Sequence, residues 1–165
     1  MRIIVMSDSH GNYRRLEQIV KKNRSQADCF IHLGDGLHEV ELLLEEDPEL
    51  PIFCVRGNCD WGNPMPQAKK SFLRSFGPVK IFYTHGDLYG VKYQLDTLVQ
   101  AGREAGAQVI LYGHTHVARI DYLEGVYVLN PGSCSMPRNG EPSYLALDIT
   151  EQGIVPVLRP IKSAW

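Results

Sequence analysis

No apolar run in these 165 residues approaches the ~18 needed to cross a bilayer, so no membrane partner is expected. The first run, Arg2-Ile3-Ile4-Val5-Met6, is too short for the apolar region of a signal peptide and gives way at once to Ser7 and Asp8. A cytoplasmic location is the expectation. A basic excess is also missing: the formal charge is −2, whereas electrostatic binding of nucleic acid normally rests on a basic stripe. No nucleic-acid partner is expected. Cysteine is sparse and scattered, with Cys29, Cys54, Cys59 and Cys134 forming no Cys-x-x-Cys pair. That spacing signals neither a zinc ribbon nor a disulfide framework, and in a reducing compartment the thiols stay free. Cys29 and Cys54, inside apolar runs, are assigned to the core. Linkers, internal repeats and low-complexity stretches are absent too, so residues 1–165 read as one domain.

What remains is an ordinary globular composition, 44% hydrophobic and 22% charged. A domain of this length buries roughly 70% of the surface its unfolded chain exposes and needs no staple. The first half alternates strand-like and helix-like segments. Ile3 to Met6, Cys29 to Ile31 and Ile52 to Val55 are short apolar runs. Between them, Tyr13, Leu16, Ile19 and Val20, then Leu37, Val40, Leu43 and Leu44, recur at helical spacing. This βαβαβ order implies parallel strands packed against helices. Residues 61–68, with Gly62, Pro64 and Pro66, read as a loop. Phe72 to Phe76 and Val79 to Tyr83 flank a Gly77-Pro78 turn. Tyr93, Leu95, Leu98, Val99 and Ala105 mark a third helix, followed by a strand at Val109 to Leu111. The tail offers four more short strands, Arg119 to Leu123, Val126 to Leu129, Tyr144 to Ile149 and Ile154 to Leu158, consistent with antiparallel pairing.

Five polar clusters each follow a predicted strand: Asp8-Ser9-His10-Gly11-Asn12, Gly34-Asp35-Gly36, Gly57-Asn58-Cys59-Asp60, Thr84-His85-Gly86-Asp87 and Gly113-His114-Thr115-His116. In open α/β sheets ligands sit beyond the carboxyl ends of the strands, so five clusters from five strands can meet at one edge. Asp8-x-His10 and His114-x-His116 project to the same side of extended backbone, and each pair can approach one metal or two adjacent ones. Asp35, between glycines that permit close backbone approach, has enough lone pairs to bridge two cations. Asn58 and His85 fill the remaining positions. A nitrogen and oxygen ligand set without required thiolate suits Mn²⁺, Fe²⁺, Zn²⁺, Ni²⁺ or Co²⁺. His32 and His38, taken singly, each read as a surface or satisfied core residue. Asn130-Pro131-Gly132-Ser133 reads as a turn, and Asn12, Ser133 and Arg138 are candidate substrate contacts.

The order Asp-x-His, Gly-Asp, Gly-Asn-Cys-Asp, His-Gly, Gly-His-Thr-His, Asn-Pro-Gly-Ser resembles the calcineurin-like metallophosphoesterases, most of all the small YfcE-type phosphodiesterases. The resemblance runs from Asp8 to about Arg138. It implies a sandwich of two mixed β-sheets flanked by helices. It also implies two divalent ions, of which Mn²⁺ is the expected pair. One would be held by Asp8, His10, Asp35 and His116, the other by Asp35, Asn58, His85 and His114. Many larger relatives carry a histidine after the motif asparagine; this chain has Cys59 there, which leaves the general acid unassigned. Asp35, Asn58 and His85 would act in catalysis through the metals, with Asp60 and Asp87 orienting ligand imidazoles.

The expected activity is hydrolysis of a small phosphodiester by a hydroxide that bridges the two metals. A phosphomonoesterase or protein phosphatase is the second reading. A binding scaffold like the retromer subunit of this fold is the third, opposed by the intact ligand set. A homo-oligomer, dimer or tetramer, stays open.

Overall fold

The computed structural model describes residues 1–62 and 65–162; Pro64 of the expected loop lies outside them. Ten strands form two five-stranded sheets. The first has the order β10 (Gly153–Pro160), β9 (Ser143–Thr150), β1 (Arg2–Met6), β2 (Cys29–His32), β3 (Ile52–Cys54). Here β1, β2 and β3 run parallel, as the βαβαβ order requires, while β9 lies antiparallel to both β1 and β10. The second has the order β4 (Ser71–Phe76), β5 (Val79–Thr84), β6 (Val109–Leu111), β8 (Val126–Asn130), β7 (Arg119–Leu123). Its centre is parallel and its two edges are antiparallel hairpins.

Strand alternation decides the layers. Ile3 and Val5 of β1 face the second sheet and pack in one cluster with Ile31, Ile81, Tyr83, Val109, Leu111 and Leu145. Ile4 and Met6 face outward onto the helices α1 (Tyr13–Asn23) and α2 (Leu37–Glu46), meeting Leu16, Ile19, Val40 and Leu43. On the other face, Phe82, Ile110 and Val128 pack against Leu98 and Val99 of α3 (Asp96–Glu104). The result is the helix-flanked sandwich of two mixed sheets expected from the sequence.

Two local expectations change. Tyr93 is 94% exposed and precedes α3. A 3-10 turn at Asp87–Tyr89, flanked by Gly86 and Gly90 with φ of 107° and 64°, delays the helix start. Cys54 is half-buried because β3 is the edge of its sheet. Among the described residues no helix is long and apolar enough to cross a membrane.

Candidate metal centre

The segments that leave the carboxyl ends of β1, β2, β3, β5 and β6 carry the five polar clusters, and backbone hydrogen bonds lace them together. Asp8 N–H donates to Gly34 O at 3.1 Å, His10 N–H to Asp35 O at 3.0 Å, and Gly113 N–H to His85 O at 3.0 Å. Close approach depends on glycine: a Cβ at Gly57 would stand 2.0 Å from Asp35 Oδ1, and one at Gly113 2.0 Å from Ser7 Oγ. Five of the candidate ligands have left-handed backbone, Asp8 (φ 55°), His10 (44°), Asp35 (56°), His114 (65°) and His116 (58°). Each such residue costs about 1 kcal/mol or more, and strain of this kind concentrates at functional sites.

Two groups of ligand atoms result. In the first, Asp8 Oδ2 accepts the Ser7 hydroxyl at 2.5 Å and His114 N–H at 3.1 Å. Its other oxygen, Oδ1, is buried without any hydrogen-bond partner. That oxygen lies 3.3 Å from His116 Nε2 and 3.8 Å from His10 Nε2. His116 Nδ1–H donates to Met136 O at 2.7 Å, which leaves the Nε2 lone pair facing His10 Nε2 at 3.1 Å. In the second group, His85 Nδ1–H donates to Leu33 O at 2.7 Å. Its Nε2 then faces Asn58 Oδ1 at 3.1 Å, His114 Nδ1 at 3.2 Å and Asp35 Oδ2 at 3.4 Å. Asp35 Oδ2 is also 3.8 Å from His10 Nε2, so one oxygen adjoins both groups.

Acceptors gathered this closely, one of them an orphaned buried carboxylate oxygen, repel one another unless a cation lies between them. Asp8, His10 and His116, and likewise Asp35, His85 and His114, each offer atoms close enough to share one ion. The residues fit a metal, and hard oxygen with imidazole nitrogen fits a first-row divalent ion.

The electrostatics keep both carboxylates ionised and His114 neutral, while His85 and His116, beside those carboxylates, are drawn towards positive charge. Burial alone would raise the Asp8 carboxyl, but His116, His85 and Ser7 together outweigh it and hold it below the usual range. Burial likewise opposes charge at Asp35, yet His85 and the Cys59 amide keep its carboxyl well below the ordinary value. Burial resists protonation of His85, and the carboxylates of Asp35 and Asp8 raise it nonetheless. His114 goes the other way, pushed down to about 4 by burial and by His85. A neutral imidazole is the form that ligates a metal.

The supporting residues differ from expectation. Asp60 does not orient an imidazole: its carboxylate accepts four backbone N–H groups, from Asp35, Gly36, Leu37 and Gly57, at 2.7–2.9 Å. Asp87 pairs instead with Lys70 Nζ at 2.9 Å. The imidazoles of His85 and His116 are oriented by the Leu33 and Met136 carbonyls. Ser133 is fully buried; its hydroxyl donates to Asp8 O at 2.7 Å and accepts Met136 N–H at 2.7 Å, which ties the turn to the Asp8 segment. Asn12 caps α1 through Arg15 N–H. Arg138 is exposed and joined to the site by its N–H to His116 O at 3.0 Å. Cys59 Sγ comes within reach of His10 and Asp35, which makes it a third neighbour that the sequence reading left out of the ligand set.

Sequence reasoning also missed the layer beneath. His32, buried as expected of a satisfied core histidine, accepts Gly34 N–H at Nδ1, so Nε2 carries the proton and donates to Ser9 Oγ at 3.2 Å. Ser9 in turn donates to Glu39 Oε1 at 2.9 Å, which also takes Gly11 N–H at 2.6 Å. This chain grips the backbone on both sides of His10. Asn130 does similar work for the His114 loop, donating to Gly113 O and Thr115 Oγ1. The sequence signals were single polar residues, His32 and Asn130 at the ends of the otherwise apolar β2 and β8, and Glu39 in α2.

Comparison with known proteins agrees with this geometry. The model of the calcineurin-like phosphoesterase superfamily domain matches residues 1–152. The chain is 37% identical over 138 residues to the probable metallophosphoesterase YsnB of Bacillus subtilis (strain 168), covering 84% of this chain and 78% of that one. It is 29% identical over 168 aligned positions to the phosphodiesterase YfcE of Escherichia coli (strain K12), covering 90% and 88%. A predicted phosphoesterase from Streptococcus pneumoniae TIGR4 superposes with a TM-score of 0.77 at 28% identity, covering 96% of this chain and 97% of that one. With a family model spanning residues 1–152 and candidate ligand atoms gathered beyond the strand ends of both sheets, the chain belongs to the calcineurin-like phosphoesterase superfamily.

Proposed function

We propose that this protein is a phosphodiesterase that works with two divalent ions, Mn²⁺ the expected pair, and hydrolyses a small phosphodiester. The observation that carries this reading is the position of Asp35 Oδ2, 3.4 Å from His85 Nε2 and 3.8 Å from His10 Nε2. A carboxylate oxygen between two imidazole groups is where two ions would share a ligand. Asp8, His10 and His116 would hold one ion, Asn58, His85 and His114 the other, with Asp35 common to both. A bound pair supplies positive charge that activates water and neutralises the phosphate. Asp8 and Asp35 keep the ions by remaining ionised, and the Leu33 and Met136 carbonyls fix which nitrogens face them. The intact ligand atoms speak against a scaffold role. The phosphodiester preference draws support from the relationship to YfcE and from Cys59, which supplies no acidic group for a poor monoester leaving group.

The test uses matched aryl phosphates on protein stripped of metal and refilled. Refilling with Mn²⁺ restores hydrolysis of the diester with kcat/KM at least about tenfold above the monoester, roughly 1.4 kcal/mol of transition-state discrimination. Mg²⁺ restores less, because four imidazoles are poor partners for a hard ion. A clear monoester preference would overturn the reading.

Within the Gly-Asn-Cys-Asp turn the two middle residues should behave oppositely. Asn58→Ala removes a ligand atom and loses at least about 10²-fold in kcat/KM, roughly 2.7 kcal/mol. Cys59→Ala keeps most activity, because a metal-activated water already serves as nucleophile and the exposed thiol is not required for it. Its backbone N–H to Asp35 Oδ1, at 2.7 Å, survives the change. Steady-state kinetics of both variants decide this, and equal inactivation with metal content intact would give the thiol a chemical role.

A further inference from the structure

A cleft of about 280 Å³ opens directly beside the ligand groups, lined by His10 and Asp35 together with Gly11, Gly36, His38 and Trp61. A phosphate held at the metals would therefore direct one ester substituent into it. What the cleft accepts follows from charge and from Trp61. No lysine or arginine lines it among the described residues, whereas Glu39 and Asp60 do, so a second anionic group meets like charge there. Its remaining carboxylates are already committed. Asp60 takes four backbone N–H groups, and Glu39 takes Ser9 Oγ–H and Gly11 N–H. Those bonds leave the Asp60 oxygens without a free lone pair for a direct ion pair with a cationic substituent. The indole of Trp61 is 85% exposed, yet its backbone is tied to the site. Trp61 N–H donates to Cys59 O at 2.9 Å, and Cys59 N–H donates to Asp35 Oδ1 at 2.7 Å. An open indole whose backbone lies two hydrogen bonds from a ligand carboxylate is a stacking platform at the mouth of the site.

We propose that this cleft receives an uncharged, planar aromatic substituent of the phosphodiester, of the nucleobase type, stacked on Trp61. This rests on the phosphodiesterase reading above, and it names Trp61 as the residue that selects the substrate.

The experiment compares three methyl phosphodiesters that differ in the other substituent: adenosine 5′-, methyl and choline. Binding to metal-loaded protein is followed by tryptophan fluorescence in a Trp165→Phe background, so that Trp61 is the reporter, and by calorimetry. The adenosine ester should quench the fluorescence and bind roughly tenfold or more tightly than dimethyl phosphate. Trp61→Ala should erase that advantage, while Trp61→Phe, which keeps an aromatic face, should retain most of it. The Trp61→Ala variant should leave the affinity for dimethyl phosphate unchanged, because methyl groups have no stacking face. Equal affinities for the adenosine and methyl esters, an adenosine advantage that survives Trp61→Ala, or tighter binding of the choline ester would each overturn the proposal. Turnover of bis(p-nitrophenyl) phosphate by the same preparation separates the two levels. With turnover present, those outcomes sink only the role of the cleft; with no turnover of any diester, the reading on which it rests falls.

Discussion

Asp35→Ala should release both metal ions together and lower kcat/KM by at least about 10³-fold, roughly 4 kcal/mol of transition-state stabilisation. No other candidate ligand should have so large an effect, because Asp35 is the residue whose oxygen adjoins both groups. The loss has a second source. Asp35 Oδ1 accepts the Cys59 amide at 2.7 Å, so the same carboxylate positions the turn that carries Asn58. Asp35→Asn separates these contributions: its amide oxygen can keep the Cys59 contact while the charge that holds the ions is gone. The measurement is metal content after gel filtration together with kinetics at saturating metal. If Asp35→Ala retains one ion at wild-type affinity, the shared position assigned to Asp35 is wrong.

The second large effect is on stability. Asp60→Ala should destabilise the fold by about 3 kcal/mol, since hydrogen bonds to a charged acceptor are each worth roughly 1.5–3 kcal/mol and do not add fully. For a chain of this size that is a fall in Tm of roughly 6–12 °C. Helix α2 begins at Leu37, and its N-cap Gly36 has no side chain to offer. Asp60, from the next loop, accepts the N–H groups of both residues at 2.9 Å and places a negative charge at the positive end of the helix. Its other oxygen holds Asp35 N–H and Gly57 N–H, which fastens the two loops that carry Asp35 and Asn58. Asp60→Asn keeps one acceptor oxygen and should recover about half of the loss. Thermal and urea denaturation of metal-free protein check this, and a loss under about 1 kcal/mol for Asp60→Ala would show that water replaces the carboxylate.

Both predictions concern residues that the sequence brought forward for different reasons. Asp35 was legible because a carboxylate between glycines, after a buried strand, has few other uses in company with four histidines. The sandwich was expected from the resemblance that the polar motifs carry; the βαβαβ order by itself reads only as parallel strands packed against helices, and which face Ile3 and Val5 or Ile4 and Met6 occupy emerges from the packed structure. The role of Asp60 was not legible. Its partners are backbone N–H groups on another loop, and main-chain donors leave no mark in residue types. The same reason hid the Leu33 and Met136 carbonyls behind the imidazoles, so the orienting task was assigned to side chains. His32, Ser9 and Glu39 were hidden by distance along the chain: their contact requires β1, β2 and α2 to be packed first. Tyr93 failed for a local reason, since helical spacing carries no information about a preceding glycine-flanked turn.

The left-handed backbone at Asp8, His10, Asp35, His114 and His116 has a consequence for how this chain can change by mutation. At each of these positions glycine would relieve about 1 kcal/mol of steric cost while deleting a ligand; at Asp8, Asp35 and His116 it would also break hydrogen bonds that hold neighbouring segments, so the net gain falls to His10 and His114. For a metal-free molecule, two of the shortest routes to a more robust fold therefore pass through loss of the active centre. A screen that rewards thermal endurance alone should enrich glycine at His10 and His114 and return durable, inert descendants. Selection for turnover must act continuously to hold those two side chains in place.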